Sequence, residues 1–214
     1  LYVVVKGVQV DCAVNALAAL HDACKRTIDA RRAVAMDPAL TPAARVLKVA
    51  DLQGQLAEAA LPKADAAMQT LKRYIESAED GLRAPVKADT GNALGREIAE
   101  HVRGLSVSER LAFVSKAVQA GDHLTVHAVL ARPPYLVGLS DEAHAGFTEQ
   151  WNKARDPVAV QRLELLRFAL ARVEEAATLV AHQGHKFIGA KALTIRTLNE
   201  QRKRAQRAWA AAAS

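Results

Sequence analysis

An all-α fold is predicted, a multi-helix bundle with long helices, and three observations predict it. Apolar residues recur at steps of three and four along most of the chain, the spacing of one face of a helix. The only β-branched run of strand type is Leu1 to Val5. Alanine, the strongest helix former, supplies much of the apolar half of the composition, as at Ala16 to Ala19 and Ala210 to Ala213, against nine aromatic residues. Because alanine adds little buried area, the helices should approach closely around thin cores. Part of the burial is then expected to come from a partner, so oligomerisation is anticipated.

Leu1-Tyr-Val-Val-Val5 is expected as a short strand or an extended arm. From Val10 to Ala35, Val10, Val14, Leu17, Cys24 and Ile28 define one helical face, and Asp37-Pro38 ends that helix. Thr41-Pro42 opens the next, with threonine as N-cap and proline at the first helical position. It is expected to reach Ala78, with Val49, Leu52, Leu56 and Ala59 in one set and Ala64, Met68, Leu71, Ile75 and Ala78 in a second. The phase slips between the sets at Pro62, which predicts a kink or break there.

Residues 81–95, with Gly81, Pro85, Gly91, Asn92 and Gly95, read as a linker or hinge. It would divide an N-terminal arm and helical hairpin (residues 1–80) from a C-terminal helical bundle (residues 96–184). In the bundle, Glu97 to Val102 reads as a short helix that stops near Gly104. Ser106-Val-Ser-Glu109 is a capping box for a helix carrying Leu111, Val114 and Val118 inward, and Gly121 stops it. Asp122 caps a short helix that Pro133-Pro134 must end, and Ser140 starts another that buries Ala143, Phe147 and Trp151.

Asp156-Pro157 begins what reads as the longest helix, with a seam of Leu163, Leu166, Leu170, Val173, Ala177 and Val180. Such a seam suits coiled-coil-like packing, though one helix of a monomeric bundle uses the same seam and is the favoured reading. Gly184 is expected to interrupt it. Residues 185–214 then form a basic C-terminal helix or tail, which resumes at Phe187 and Ile188 and loses its apolar stripe between Leu198 and Trp209.

The net charge of +6 belongs to that tail. It holds Lys186, Lys191, Arg196, Arg202, Lys203, Arg204 and Arg207 against the single acid Glu200, and the preceding residues carry equal numbers of acids and bases. Arg196, Arg202, Lys203, Arg204, Arg207 and Trp209 are therefore the candidate contacts to nucleic acid or to an acidic protein surface, with Trp209 stacking on a base or anchoring in a groove. On a helix, residues 202, 203 and 204 fan over about 200°, so a solvated terminal helix is the plain alternative.

No catalytic or cofactor site is predicted. Cys12 and Cys24 stand about 18 Å apart on one helix, beyond the ~7 Å reach of a disulfide. His123 with His127 and His182 with His185 have spacings that ligate metal, but neither the zinc-protease glutamate nor a Glu-x-x-His pair accompanies them. Glu97, Glu100 and His101 would perform acid–base chemistry only in a cleft, and Glu174-Glu175 reads as surface charge. Phosphate-cradling loops and the nucleophile elbow are absent from the sequence. With no secretory leader or apolar span visible, a cytoplasmic or virion-associated protein is expected, without membrane contact.

The stretch Glu109-Arg-Leu-Ala-Phe113, Gly121-Asp122, Ala128-Val-Leu130, Pro133-Pro-Tyr-Leu136 and Gly138-Leu-Ser-Asp-Glu142 resembles a segment of helical proteins encoded by phages and prophages. It spans residues 109–142 and carries over no functional residue. The resemblance implies a protein of phage particle structure or assembly bound to other virion components. The expected function is therefore that of a non-enzymatic structural or interaction protein docking on protein subunits, its own copies or others. A nucleic-acid-binding protein acting through the tail is the alternative, and an enzyme assembled by tertiary contacts is more remote. Docking or self-association is expected along the Leu163 to Val180 seam or the Leu52 to Ile75 helix.

Overall fold

The computed structural model describes residues 10–87 and 93–213. These form nine helices and no strand, the all-α class that the periodicity predicts. In order they are α1 (Asp11–Ala35), α2 (Pro42–Lys87), α3 (Ala93–Gly104), α4 (Val107–Ala120), α5 (His123–Leu130), α6 (Pro134–Val137), α7 (Asp141–Arg155), α8 (Pro157–Ile188) and α9 (Ala192–Ala212). The strand or arm expected at Leu1 to Val5 lies outside the described residues.

Two compact units contain these helices: residues 74–165 form one, residues 10–73 with 166–213 the other. Of the linker expected at residues 81–95, residues 88–92 lie outside the described residues, and neither Gly81 nor Gly184 stops its helix. Gly81 is followed by Leu82, only 5% exposed, whose carbonyl accepts from the Arg155 guanidinium at 3.2 Å, so packing carries α2 on to Lys87. Gly184 is buried, and a Cβ there would meet Gln53 Cδ at 2.8 Å. Here glycine provides room for a neighbouring side chain, and α8 continues to Ile188.

In the unit formed by residues 10–73 and 166–213, α1 buries Ala13, Ala16, Leu20, Ala23 and Thr27. Of the expected face, Val10, Leu17, Cys24 and Ile28 are half-buried at the edge of the core and Val14 is 57% exposed. Close approach selects the small residues, while the larger ones flank the contact. Thr27 is accommodated because its hydroxyl donates to the Ala23 carbonyl at 2.8 Å. Across from it, α2 buries Val49, Ala60, Ala64, Ala67 and Leu71. Each Leu or Val so buried contributes roughly 1.5–3 kcal/mol and each alanine far less, so Leu20, Leu71, Leu166 and Val173 dominate this core.

Of the kink or break expected at Pro62, the break does not occur: α2 runs unbroken through it. Pro62 and Glu58 are both exposed, so the Glu58 carbonyl that loses its donor faces water, and buried alanines on either side hold the helix. With Pro62 and Gly81 both passed, α2 at 46 residues exceeds α8 at 32, and α8 is not the longest helix. Phe187 and Ile188 close α8 instead of opening the tail. Gly189, at φ +79°, turns the chain, and α9 begins three residues later.

The other unit is knit by α3, α4, α5, α6 and α7 around Val102, Val114, Val126, Val129, Val137 and Trp151. Its helices start where side chains satisfy orphan backbone donors. Ser106 Oγ accepts from the Glu109 N–H at 3.4 Å while Glu109 accepts from the Ser106 N–H at 3.1 Å, a complete capping box. Asp122, Ser140 and Asp156 accept from Thr125, Ala143 and Ala159 at 3.1, 3.2 and 2.9 Å. Of the residues expected inward on α4, Val114 and Val118 are buried and Leu111 is 37% exposed. Ala117 is buried beside Val114 and Val118. The α3 helix begins at Ala93, earlier than expected, because Gly95 packs against Ala128 of α5.

Candidate interaction surface on the C-terminal helix

α9 is a polar helix whose basic and half-buried residues take different sides. No residue on it is fully buried, and only Ile195, Leu198, Asn199 and Arg202 are half-buried. Those four share one side of the helix at 100° per residue. The fixing contact is a bidentate pair: Arg202 Nη1 and Nη2 donate to Asp51 Oδ2 and Oδ1 at 2.5 and 2.8 Å. Asn199 Oδ1 accepts from the same guanidinium at 2.7 Å. The hydrogen bonds from Arg202 hold the Asp51 carboxyl below the ordinary aspartate value and raise the guanidinium further. Arg202 is therefore a clasp to α2, engaged within the chain.

Arg196, Lys203, Arg204 and Arg207 fall within about 100° of arc on the opposite side. All four are exposed. Arg196 is engaged by Glu200 at 3.3 Å, and among the described residues no carboxylate pairs with Lys203, Arg204 or Arg207. Trp209 is 78% exposed, but it projects on the Arg202 side, well over 90° from Arg204. The structure thus gathers four of the six candidate contacts into one basic stripe and separates Arg202 and Trp209 from it.

The seam residues of α8 lie elsewhere. Leu163, Leu166, Val173, Ala177 and Val180 are all buried within the chain, and Leu170 is half-buried. Leu52, Leu56 and Ile75 of α2 are half-buried as well. Most of the α8 seam is thus packed within the chain, while Val158, Phe168 and Leu179 of the same helix are 59%, 62% and 38% exposed.

The other candidate clusters stay apart. Glu97, Glu100 and His101 are exposed, with His101 edge-on to Phe113 at 5.5 Å. His123 and His127 do adjoin, with ring centroids 5.9 Å apart, but Trp151 packs edge-on to both. Among the described residues no group of three or more His, Cys, Asp or Glu could hold a metal ion. Glu174 pairs with Lys72 at 3.7 Å and Glu175 with Arg172 at 2.8 Å, on the surface. Both cysteines are free thiols, and burial pushes Cys24 up. No helix is long and apolar enough to cross a membrane among the described residues.

Sequence reasoning missed two features. Arg110 reaches the carbonyls of Val102, Arg103 and Leu105 at 3.0, 2.9 and 2.7 Å, and that of Gly138. The Asp51 clasp is the other, 151 residues away from its arginine. Neither has a local signal, because the partners meet only in the folded chain.

Fold and surface together define an all-α protein of two helical units whose C-terminal helix presents a basic stripe. No protein-family model, curated protein or solved structure matches the chain.

Proposed function

We propose that this is a non-enzymatic interaction protein that docks on other protein subunits through α9. One observation carries the reading: α9 holds 21 residues in helix and buries none, with Leu193 and Trp209 74% and 78% exposed. Most helical stability in proteins comes from packing, and a terminal helix this exposed gains it by packing on a partner. A virion or assembly component is the setting that the resemblance over residues 109–142 supports. Sedimentation of the intact protein, alone and mixed with candidate structural proteins encoded beside it, tests this. A larger species is expected, dissolved by Leu193→Ser or by Trp209→Ala, which lie on opposite sides of α9. A monomer in every mixture overturns it.

The stripe of Arg196, Lys203, Arg204 and Arg207 favours a second reading, nucleic-acid binding. Four phosphate contacts would make log K fall with log salt at a slope of about −3 to −4. Fluorescence titration of a 20-base-pair duplex across salt concentrations separates the two readings.

A further inference from the structure

Away from α9, a cavity of about 240 Å³ opens between the C-terminal end of α1, the start of α2 and the end of α8. Val34, Val46, Val49 and Ile188 give it aliphatic walls, and Arg31 and Arg45 bring two guanidinium groups to it. The two arginines are placed by different means. A Cβ on Gly189 would meet Arg31 Cδ and Nη1 at 2.9 Å each, so only glycine there lets the Arg31 side chain lie across the α8 terminus. Arg45 Nη2 donates to the Asp37 carbonyl at 2.6 Å, which leaves its Nε buried without an acceptor. The nearby Asp37 carboxylate accepts from the Ala39 N–H at 2.9 Å. Among the described residues no carboxylate pairs with Arg31 or Arg45.

Two cations without counter-charge beside a branched aliphatic wall define a ligand chemistry. A buried guanidinium donor left unmatched is costly, and a planar carboxylate is its geometric complement. The size of the cavity sets the rest. At about 240 Å³ the cavity is below the ~300–1,000 Å³ of pockets that take drug-sized ligands, which suits a small ligand.

We infer that this cavity binds a small aliphatic monocarboxylate, its tail among the valines and Ile188 and its carboxylate between Arg31 and Arg45. An amino group next to the carboxylate would be repelled by the two guanidiniums, so amino acids are disfavoured. The inference is independent of α9, since none of its residues takes part.

Calorimetric titration of the full chain with 4-methylpentanoate, 4-methylpentan-1-ol and leucine tests it. The acid should bind with a Kd below about 1 mM, and the alcohol and leucine at least tenfold more weakly. Arg31→Met should weaken the acid about tenfold with the melting temperature unchanged, because Arg31 is exposed. Ala35→Trp, at an exposed position on the rim, should abolish binding by covering the mouth. Arg45→Met also removes the bond to the Asp37 carbonyl, so the two rim variants are the decisive ones. No heat with the acid, equal affinity for the alcohol, or an Arg31→Met protein that binds as well as wild type overturns the inference. So does tighter binding of an acetylated tripeptide ending in leucine with a free carboxylate, which would assign the cavity to a protein terminus.

Discussion

The Arg110 side chain lies against the backbone of Gly138, close enough that a Cβ on Gly138 would meet Arg110 Cζ at 2.8 Å. One guanidinium thereby closes the C-terminal turn of α3 and the turn after α6 at once, donating to carbonyls from both. These carbonyls lie at helix ends, where intrahelical donors run out, and of them Val102 also accepts from the Leu105 N–H at 3.3 Å. Arg110→Met should destabilise the protein by about 2–4 kcal/mol in urea unfolding. Arg110→Lys should rescue little, since an ammonium cannot span the fork. Gly138→Ala, at φ +69°, should cost less in the Arg110→Met background than in wild type. Additive losses would show that the close contact is unimportant.

The Asp51–Arg202 clasp makes α9 attachment depend on pH. The folded Asp51 carboxyl titrates below its ordinary value, so the clasp is fully effective above about pH 4 and is lost as pH falls through the lower folded value. Both side chains are a third exposed or more, so solvent screening limits the pair to about 1 kcal/mol or less. Asp51→Asn should lower α9 amide-exchange protection at pH 7. The gap to wild type should close near pH 2. A gap that stays constant with pH would show that the carboxylate charge is not the cause.

Two helical glycines should respond differently to alanine. Gly54 has nothing within 4 Å of an added Cβ, so Gly54→Ala should stabilise by up to ~1 kcal/mol through helix propensity. Gly184→Ala gains the same but must displace the Gln53 amide, which makes a bond of 3.5 Å to the Val180 carbonyl. Since that end is flexible, thermal unfolding should find Gly184→Ala near neutral, and Gln53→Ala should restore the full gain. Equal stabilisation by both single variants would contradict the close approach.

Charge reversal at Lys203, Arg204 and Arg207 should leave the melting temperature within a degree or two, because these residues bury nothing. Truncation just after Arg202 should do the same, whereas truncation before Asn199 removes the clasp and should cost more. Both charge-reversed and truncated proteins should lose the tail's affinity for anionic partners in a titration at low salt. Several degrees lost on truncation after Arg202 would mean that Trp209 is anchored.

How much of this was legible in the sequence follows from the range of each interaction. Caps were: Thr41, Ser106, Asp122, Ser140 and Asp156 act on backbone groups three residues away. The helical class was, because period survives any packing arrangement. The buried face of α1 was not, since a stripe of alanines beside a stripe of larger residues is ambiguous by one position. Gly81 and Gly184 misled, and Pro62 did not break its helix, for a related reason: local propensity was outweighed by packing on their flanks. On α9 the charge was legible, but its partition into a clasp and a stripe needed Asp51, far away in the chain.

The interleaved composition of the two units also governs how the chain matures during synthesis. The segment from Tyr74 to Leu165 emerges from the ribosome without interruption. α1 and the first part of α2, made earlier, must wait for residues that follow Leu165. At ~5–20 residues per second that delay lasts on the order of ten seconds. During it, the face of Leu20, Val49 and Leu71 has no α8 to cover it. The nascent chain is therefore exposed to chaperones and to premature association at its N-terminal half, and slow translation of the intervening segment prolongs that vulnerability.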